Sequence, residues 1–183
     1  MLLGSPASPA KNRQGLAGEH MVRTLVIVVV CAVSVPALAQ DCTLENARYI
    51  QSNSGWTLTF EPVSRDAAAN ETASFSINLP ASPLVLDGGI YRPNGFGSAQ
   101  YSIQGPCSLD GDTLCSFVEG PNPTVYANTE SGVSMIDDEE GARAPRQIVL
   151  PQLAESIWYS MYRNSEFGDD VDPSDVFTLS GCD

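Results

Sequence analysis

The chain has 183 residues and a formal charge of −13, with nine basic residues against 22 acidic ones and a lone histidine. Such a balance opposes nucleic acid and anionic lipid as partners, because both are bound through clustered lysine and arginine. From residue 40 onward there is neither lysine nor histidine, which excludes Ser-His-Asp and Cys-His nucleophiles, a histidine proton shuttle, conventional zinc ligation and lysine Schiff bases.

Residues 1–20 (MLLGSPASPAKNRQGLAGEH) carry Pro6 and Pro9 without apolar periodicity, and read as an over-extended start or a long n-region. Met21–Gln40 follows as MVRTLVIVVVCAVSVPALAQ, with a positive residue at Arg23, an apolar core from Leu25 to Val35, and a close on Ala37-Leu38-Ala39. That order marks a secretory signal peptide over residues 21–39, whose core is too short for a bilayer span of about 20 residues. Cleavage after Ala39 leaves an exported domain, residues 40–183, with six arginines, 21 acidic residues and a charge of −15. Gln40 and Asp41 separate the cleavage point from Cys42, so a lipid-modified cysteine is not expected. The expected location is periplasmic or secreted, with no membrane span after cleavage.

Within that domain, Ala47–Gln51 is short and apolar-rich, suited to a strand or a helical turn. Trp56, Leu58 and Phe60 alternate with threonines, the pattern of a half-buried strand. Ser64–Thr72 reads as a polar loop, and Phe75-Ser76-Ile77-Asn78-Leu79 alternates again up to Pro80. Leu84–Leu86 precedes a turn-like Asp87-Gly88-Gly89, and Arg92–Ser98 (RPNGFGS) is dense in turn residues. Tyr101 and Ile103 alternate up to Gly105-Pro106, and Leu114–Val118, Thr124–Ala127, Val133–Ile136 and Ile148–Leu150 continue the series of short runs. Pro151–Glu155 suits one helical turn, Ser156–Arg163 has the composition of an aromatic strand, and Val176–Leu179 closes the set. Nine to eleven short runs with turns every 8–12 residues predict an all-β fold, a single antiparallel β-sandwich or barrel with at most one or two helical turns.

Four cysteines follow the signal: Cys42, Cys107, Cys115 and Cys182. An even number in an exported domain predicts two disulfides, for which three connectivities exist. The nested one is expected. Cys42 and Cys182 stand at opposite ends of a domain whose termini tend to meet. Cys107 and Cys115 flank the turn signal Asp110-Gly111.

The acidic stretch 168–175 places Asp170, Asp172 and Ser174 at EF-hand spacing, and Asp175 next to them. The match then fails, with Asp175 where the turn glycine belongs, Gly181 where the bidentate glutamate belongs, and Pro173 inside the loop. A solvated acidic loop is the expectation there, with Asp170, Asp172 and Asp175 as the weak calcium candidates. Asp137–Glu140 is expected to be a solvated loop tip. Tyr91, Arg92, Asn94 and Phe96 group aromatic and polar side chains around two glycines, and Trp158 lies in the most aromatic segment. These five are the candidate binding residues. No catalytic residue and no cofactor is expected.

The reading that follows is a non-enzymatic exported β-module that binds another protein, its partner a cationic protein or peptide drawn by the negative field. The alternative is a carbohydrate-binding or carboxylate-dependent carbohydrate-acting protein, which as a hydrolase would need two facing carboxyls about 5–10 Å apart. Export is directly measurable: intact-mass analysis of the processed protein should give Gln40 as its first residue. A product that retains Met21 refutes the signal assignment.

Overall fold

A computed structural model of the chain describes residues 42–80, 82–83, 85–95, 97–107, 113–118, 121–160, 162 and 173–183. The signal-peptide assignment therefore lies outside the described residues. Alternation becomes strand wherever it was clearest. Ala47–Ile50 is β1, Thr57–Glu61 is β2 and Glu71–Asn78 is β3. Trp56, Leu58 and Phe60 are buried, as are Phe75 and Ile77. The remaining strands are β4 (Val85–Tyr91), β5 (Gln100–Pro106), β6 (Leu114–Ser116), β7 (Tyr126–Thr129), β8 (Gly132–Met135), β9 (Gln147–Val149) and β10 (Val176–Cys182).

All ten form one sheet in the order β6-β5-β4-β3-β2-β1-β10-β9-β7-β8, and every neighbouring pair is antiparallel. The sheet curls until the second strand from one end meets the chain leading into the second strand from the other, where Gln100 of β5 bridges Thr124 just before β7. Backbone bonds from Val125 to the Ala99 carbonyl (2.8 Å) and from Tyr101 to the Pro123 carbonyl (3.2 Å) hold that closure. The sandwich-or-barrel alternative thus resolves to a single curled, partly closed sheet.

Side chains fill its interior. Phe60 stands 6.0 Å from Tyr49 and 5.6 Å from Phe75, ring centre to ring centre. Asp87-Gly88-Gly89 is not the turn its composition suggests, for β4 runs straight through it. Gly88 pairs with Phe75, and a Cβ at position 88 would lie 2.3 Å from the Phe75 ring. The glycine makes room for the ring.

A second departure follows β9. Leu153–Trp158 is a helix, α1, so Ser156–Trp158 is helical where a strand was expected over Ser156–Arg163. Leu153 and Ile157, four apart, are buried along one side of the helix. The Asp175 carboxylate accepts the backbone N–H groups of Gln152 (3.2 Å) and Ala154 (2.8 Å) at the helix start. Tertiary packing and a cap from β10's approach override the β-type composition. Tyr162 then packs edge-on against Phe117, 5.1 Å between centres. No helix among the described residues is long and apolar enough to cross a membrane.

Both expected disulfides are present, Cys42–Cys182 with Cα atoms 5.8 Å apart and Cys107–Cys115 at 5.2 Å. On the loop-entropy account the first, spanning 140 residues, is worth about 5 kcal/mol. The second, spanning 8, is worth about 2.5 kcal/mol.

Three tyrosines tie irregular segments to the sheet through proline carbonyls. Tyr49 donates to Pro145 (3.1 Å), Tyr101 to Pro151 (2.6 Å) and Tyr162 to Pro106 (2.9 Å). Burial pushes all three phenols above their ordinary value, Tyr162 to about 12. A phenol that ionises near pH 10 when unfolded, and higher when folded, favours the folded state below pH 10 and loses that effect as pH rises. The melting temperature should therefore fall as pH climbs from 10 to about 12. Tyrosinate absorbance of the folded protein should lag that of the denaturant-unfolded chain. Coincident titrations of the two states would refute the burial of these phenols.

Candidate functional site

The residues singled out from sequence lie on several different elements, and some fall outside the described residues. Tyr91 ends β4, and its ring lies so close to Gly89 that a Cβ there would come within 2.5 Å of the hydroxyl. Burial raises the Tyr91 phenol, with hydrogen bonds to Ser102 and Glu71 acting in opposite senses. Asn94 is exposed in a one-turn helix, Pro93–Gly95, with φ of 56°. Phe96 lies outside the described residues. Trp158 closes α1, 41% exposed, on a helix rather than a strand. Of the calcium candidates, Asp170 and Asp172 lie outside the described residues, and Asp175 is taken up by the start of α1. Among the described residues, no group of three His, Cys, Asp or Glu could hold a metal ion.

Arg92 has a structural role. Its Nε donates to both carboxylate oxygens of Asp138, at 2.8 and 3.1 Å, and a terminal nitrogen adds a further bond to the same carboxylate. A second terminal nitrogen reaches the Gly97 carbonyl at 3.0 Å. The Thr72 hydroxyl also donates to Asp138 and lies 3.2 Å from the Ile90 carbonyl. The Asp138 hydrogen bond holds the Arg92 guanidinium more basic than usual, with Glu139 and Asp137 adding to it. Asp138 is completely buried in its side chain. The run Asp137–Glu140 is thus only partly the solvated tip its charge suggests: Ile136 and Asp138 point inward while Asp137 and Glu139 point out. That period of two continues β8 beyond its last paired residue, and it was the available signal for Asp138 in an otherwise featureless acidic run.

Pinning Asp138 brings its neighbours against the start of the domain. Leu44 donates to the Ala142 carbonyl and Ala144 to the Cys42 carbonyl, each at 2.8 Å. Between this loop and the β2–β3 connection lies a cleft of about 360 Å³, lined by Glu45, Glu61, Glu71, Glu139 and Glu140 together with Asp138. Arg92 neutralises Asp138, so five glutamates carry the charge of the cleft. Glu71 accepts from Ser74 at 2.6 Å and Glu61 from Ser76 at 3.3 Å. None of the five belongs to an ion pair among the described residues. Leu44, Pro62, Val63 and Ala73 give the cleft an apolar portion. Chemically it suits an elongated cationic group, whose charge meets carboxylates while its methylene stem covers carbon.

The ion pair is asymmetric, since Arg92's side chain is 23% exposed and Asp138's is not exposed at all. Arg92→Ala strands a buried carboxylate and should cost about 4–5 kcal/mol. Asp138→Ala leaves a cation that water can reach and should cost less, about 3 kcal/mol. Chemical denaturation measures both, and a reversed order would contradict the geometry.

No protein-family model matches the chain, and no curated protein or solved structure matches it either, so its chemistry has to be read from its own residues.

Proposed function

We propose that this protein is an exported, non-enzymatic interaction module whose acidic cleft receives a cationic segment of a partner protein. The observation that carries this is the set of five glutamates around one cleft, none of them in an ion pair among the described residues. A fold that only needed negative charge for solubility would spread it. Here Asp138 and Arg92 hold one acidic loop against two acidic strand ends. A volume of 360 Å³ lies at the small end of ligand clefts and suits one or two long side chains rather than a whole small domain. The two disulfides support an oxidising compartment. Against an enzyme stands the use of the buried carboxylate: Asp138 is held by Arg92 and Thr72 instead of facing a substrate.

Oligo-arginine and oligo-glutamate peptides titrated against the processed protein test this. Arginine peptide should bind and glutamate peptide should not. Affinity should fall as salt shortens the screening length from about 30 Å at 0.01 M to 10 Å at 0.1 M. Replacing Glu139 and Glu140 together by glutamine should weaken binding roughly two- to tenfold. Binding indifferent both to salt and to that double change would leave the charge as a solubility device and overturn the reading.

A further inference from the structure

β8 is exposed at all four of its positions, Gly132, Val133, Ser134 and Met135. It pairs with β7 on one side, and among the described residues nothing pairs with the other. Register identifies the groups that this edge presents. Thr129 and Gly132 close the two-residue turn Glu130-Ser131, and Ile136 donates to the Val125 carbonyl at 3.1 Å. Hydrogen-bonded pairs alternate with non-bonded ones in an antiparallel ladder. Both ends of the hairpin therefore give the same parity: Gly132, Ser134 and Ile136 bond to β7, while the N–H and C=O of Val133 and Met135 point away from it.

Side chains at this edge are apolar. Val133 is 70% exposed, and Met135 lies opposite Tyr126, which lies in turn opposite Val149. None of the usual edge protections, a lysine, a proline or a charge within the strand, is present in β8.

We propose that β8 accepts an extended segment of the cationic partner as an added antiparallel strand, with the partner's basic residues N-terminal to the paired stretch. This rests on the proposed cationic partner and adds where and in which direction its chain runs. Every strand pair in the sheet is antiparallel, so the added strand would start beside Met135 and end beside Gly132. Residues before its start would meet Asp137, then the loop of Glu139 and Glu140 that walls the acidic cleft. Residues after its end would meet a cleft lined by Glu130, Arg143 and Arg146, and neither arginine has an ion-pair partner among the described residues. Charge along β8 thus runs from arginine-bearing to acidic, which sets the direction. A second copy of this chain fits poorly. Residues 40–183 of a second copy carry the same formal charge of −15, so its own negative field opposes its approach.

The probes are three synthetic peptides: a basic tripeptide followed by alternating threonine and valine, the same residues in reverse order, and the basic tripeptide followed by glycine and serine. The first should bind most tightly. On its binding to the wild-type protein, the amides of Val133 and Met135 should gain protection from hydrogen exchange. Val133→Pro deletes a donor that faces outward and leaves the β7 bonds in place, and it should weaken the first peptide about tenfold. It should leave the glycine-serine peptide unchanged. If Val133→Pro does not fold, the exchange measurement on wild-type protein decides alone. Binding that depends on salt yet shows no protection at Val133 and Met135 would overturn the added strand and leave the cleft reading intact. No binding of any basic peptide would overturn both. A protein that dimerises through these amides would replace the partner strand by a second copy and overturn the proposal.

Discussion

The pairing of the first strand with the last holds the whole sheet together. β1 to β6 form one meander and β7 to β10 another group, and in the strand order they join only where β1 meets β10. Ala47 lies opposite Cys182 there, and the Cys42–Cys182 bridge covalently closes the same junction. The pairing spans nearly the whole described chain, so it is the contact whose loop-closure entropy is largest and whose cross-link is worth most. The opposite closure, at Gln100 and Thr124, has one bridge and a few backbone bonds. Without the β1–β10 junction the two groups of strands would be joined by that seam, the side-chain plugs of α1 and Tyr162, the Arg92–Asp138 pair and the bonds of Cys42, Leu44 and Tyr49 to residues 142–145, with no continuous strand pairing between them.

The acidic cleft is a consequence of this junction. Its loop belongs to the second group of strands and its strand ends, Glu61 and Glu71, to the first. Leu44 and Cys42 dock the loop by backbone bonds beside the disulfide, and Arg92 reaches it from the end of β4. Bringing several carboxylates to one place is unfavourable by mutual repulsion, so their position has to be imposed by something else. The Arg92–Asp138 pair imposes it, removing one negative charge from the cluster while fixing the chain that carries two more.

How much of this was legible depended on whether a local pattern carried the information. The strands around Leu58, Phe75 and Ile103 were readable because each alternates over several residues, and the disulfides because four cysteines at those spacings favour the nested arrangement. Gly88 looked like a turn, because sequence shows an absent side chain but not the Phe75 ring that fills its place. α1 was legible only at its start, where Pro151–Glu155 suited a helical turn; six residues are too few to show helical periodicity through Trp158, and the cap that starts it comes from Asp175, more than twenty positions away. Arg92 drew attention by its residue type alone, with no sign of the pair it makes. Its partner lies 46 positions on, inside a run whose charge concealed the alternation of Ile136 and Asp138. Composition located the acidity of the protein but not the cleft, because Glu45, Glu61 and Glu71 are each unremarkable until the sheet brings them together.

The lack of lysine after residue 40 ties the sheet edge to the charge of the molecule. Many β proteins protect an edge with an inward lysine, a proline or a short strand, and β8 has only its shortness. In an acidic chain another protection is available. A copy approaching edge to edge brings its own negative field, which opposes the encounter. That protection discriminates by sign, where a proline would block every strand alike. It weakens as salt screens the field, and it does nothing against a basic segment, which the same field attracts. An edge guarded by charge is therefore closed to its own kind and open to a cationic chain, so the avoidance of self-association and the selection of a partner draw on the same residues.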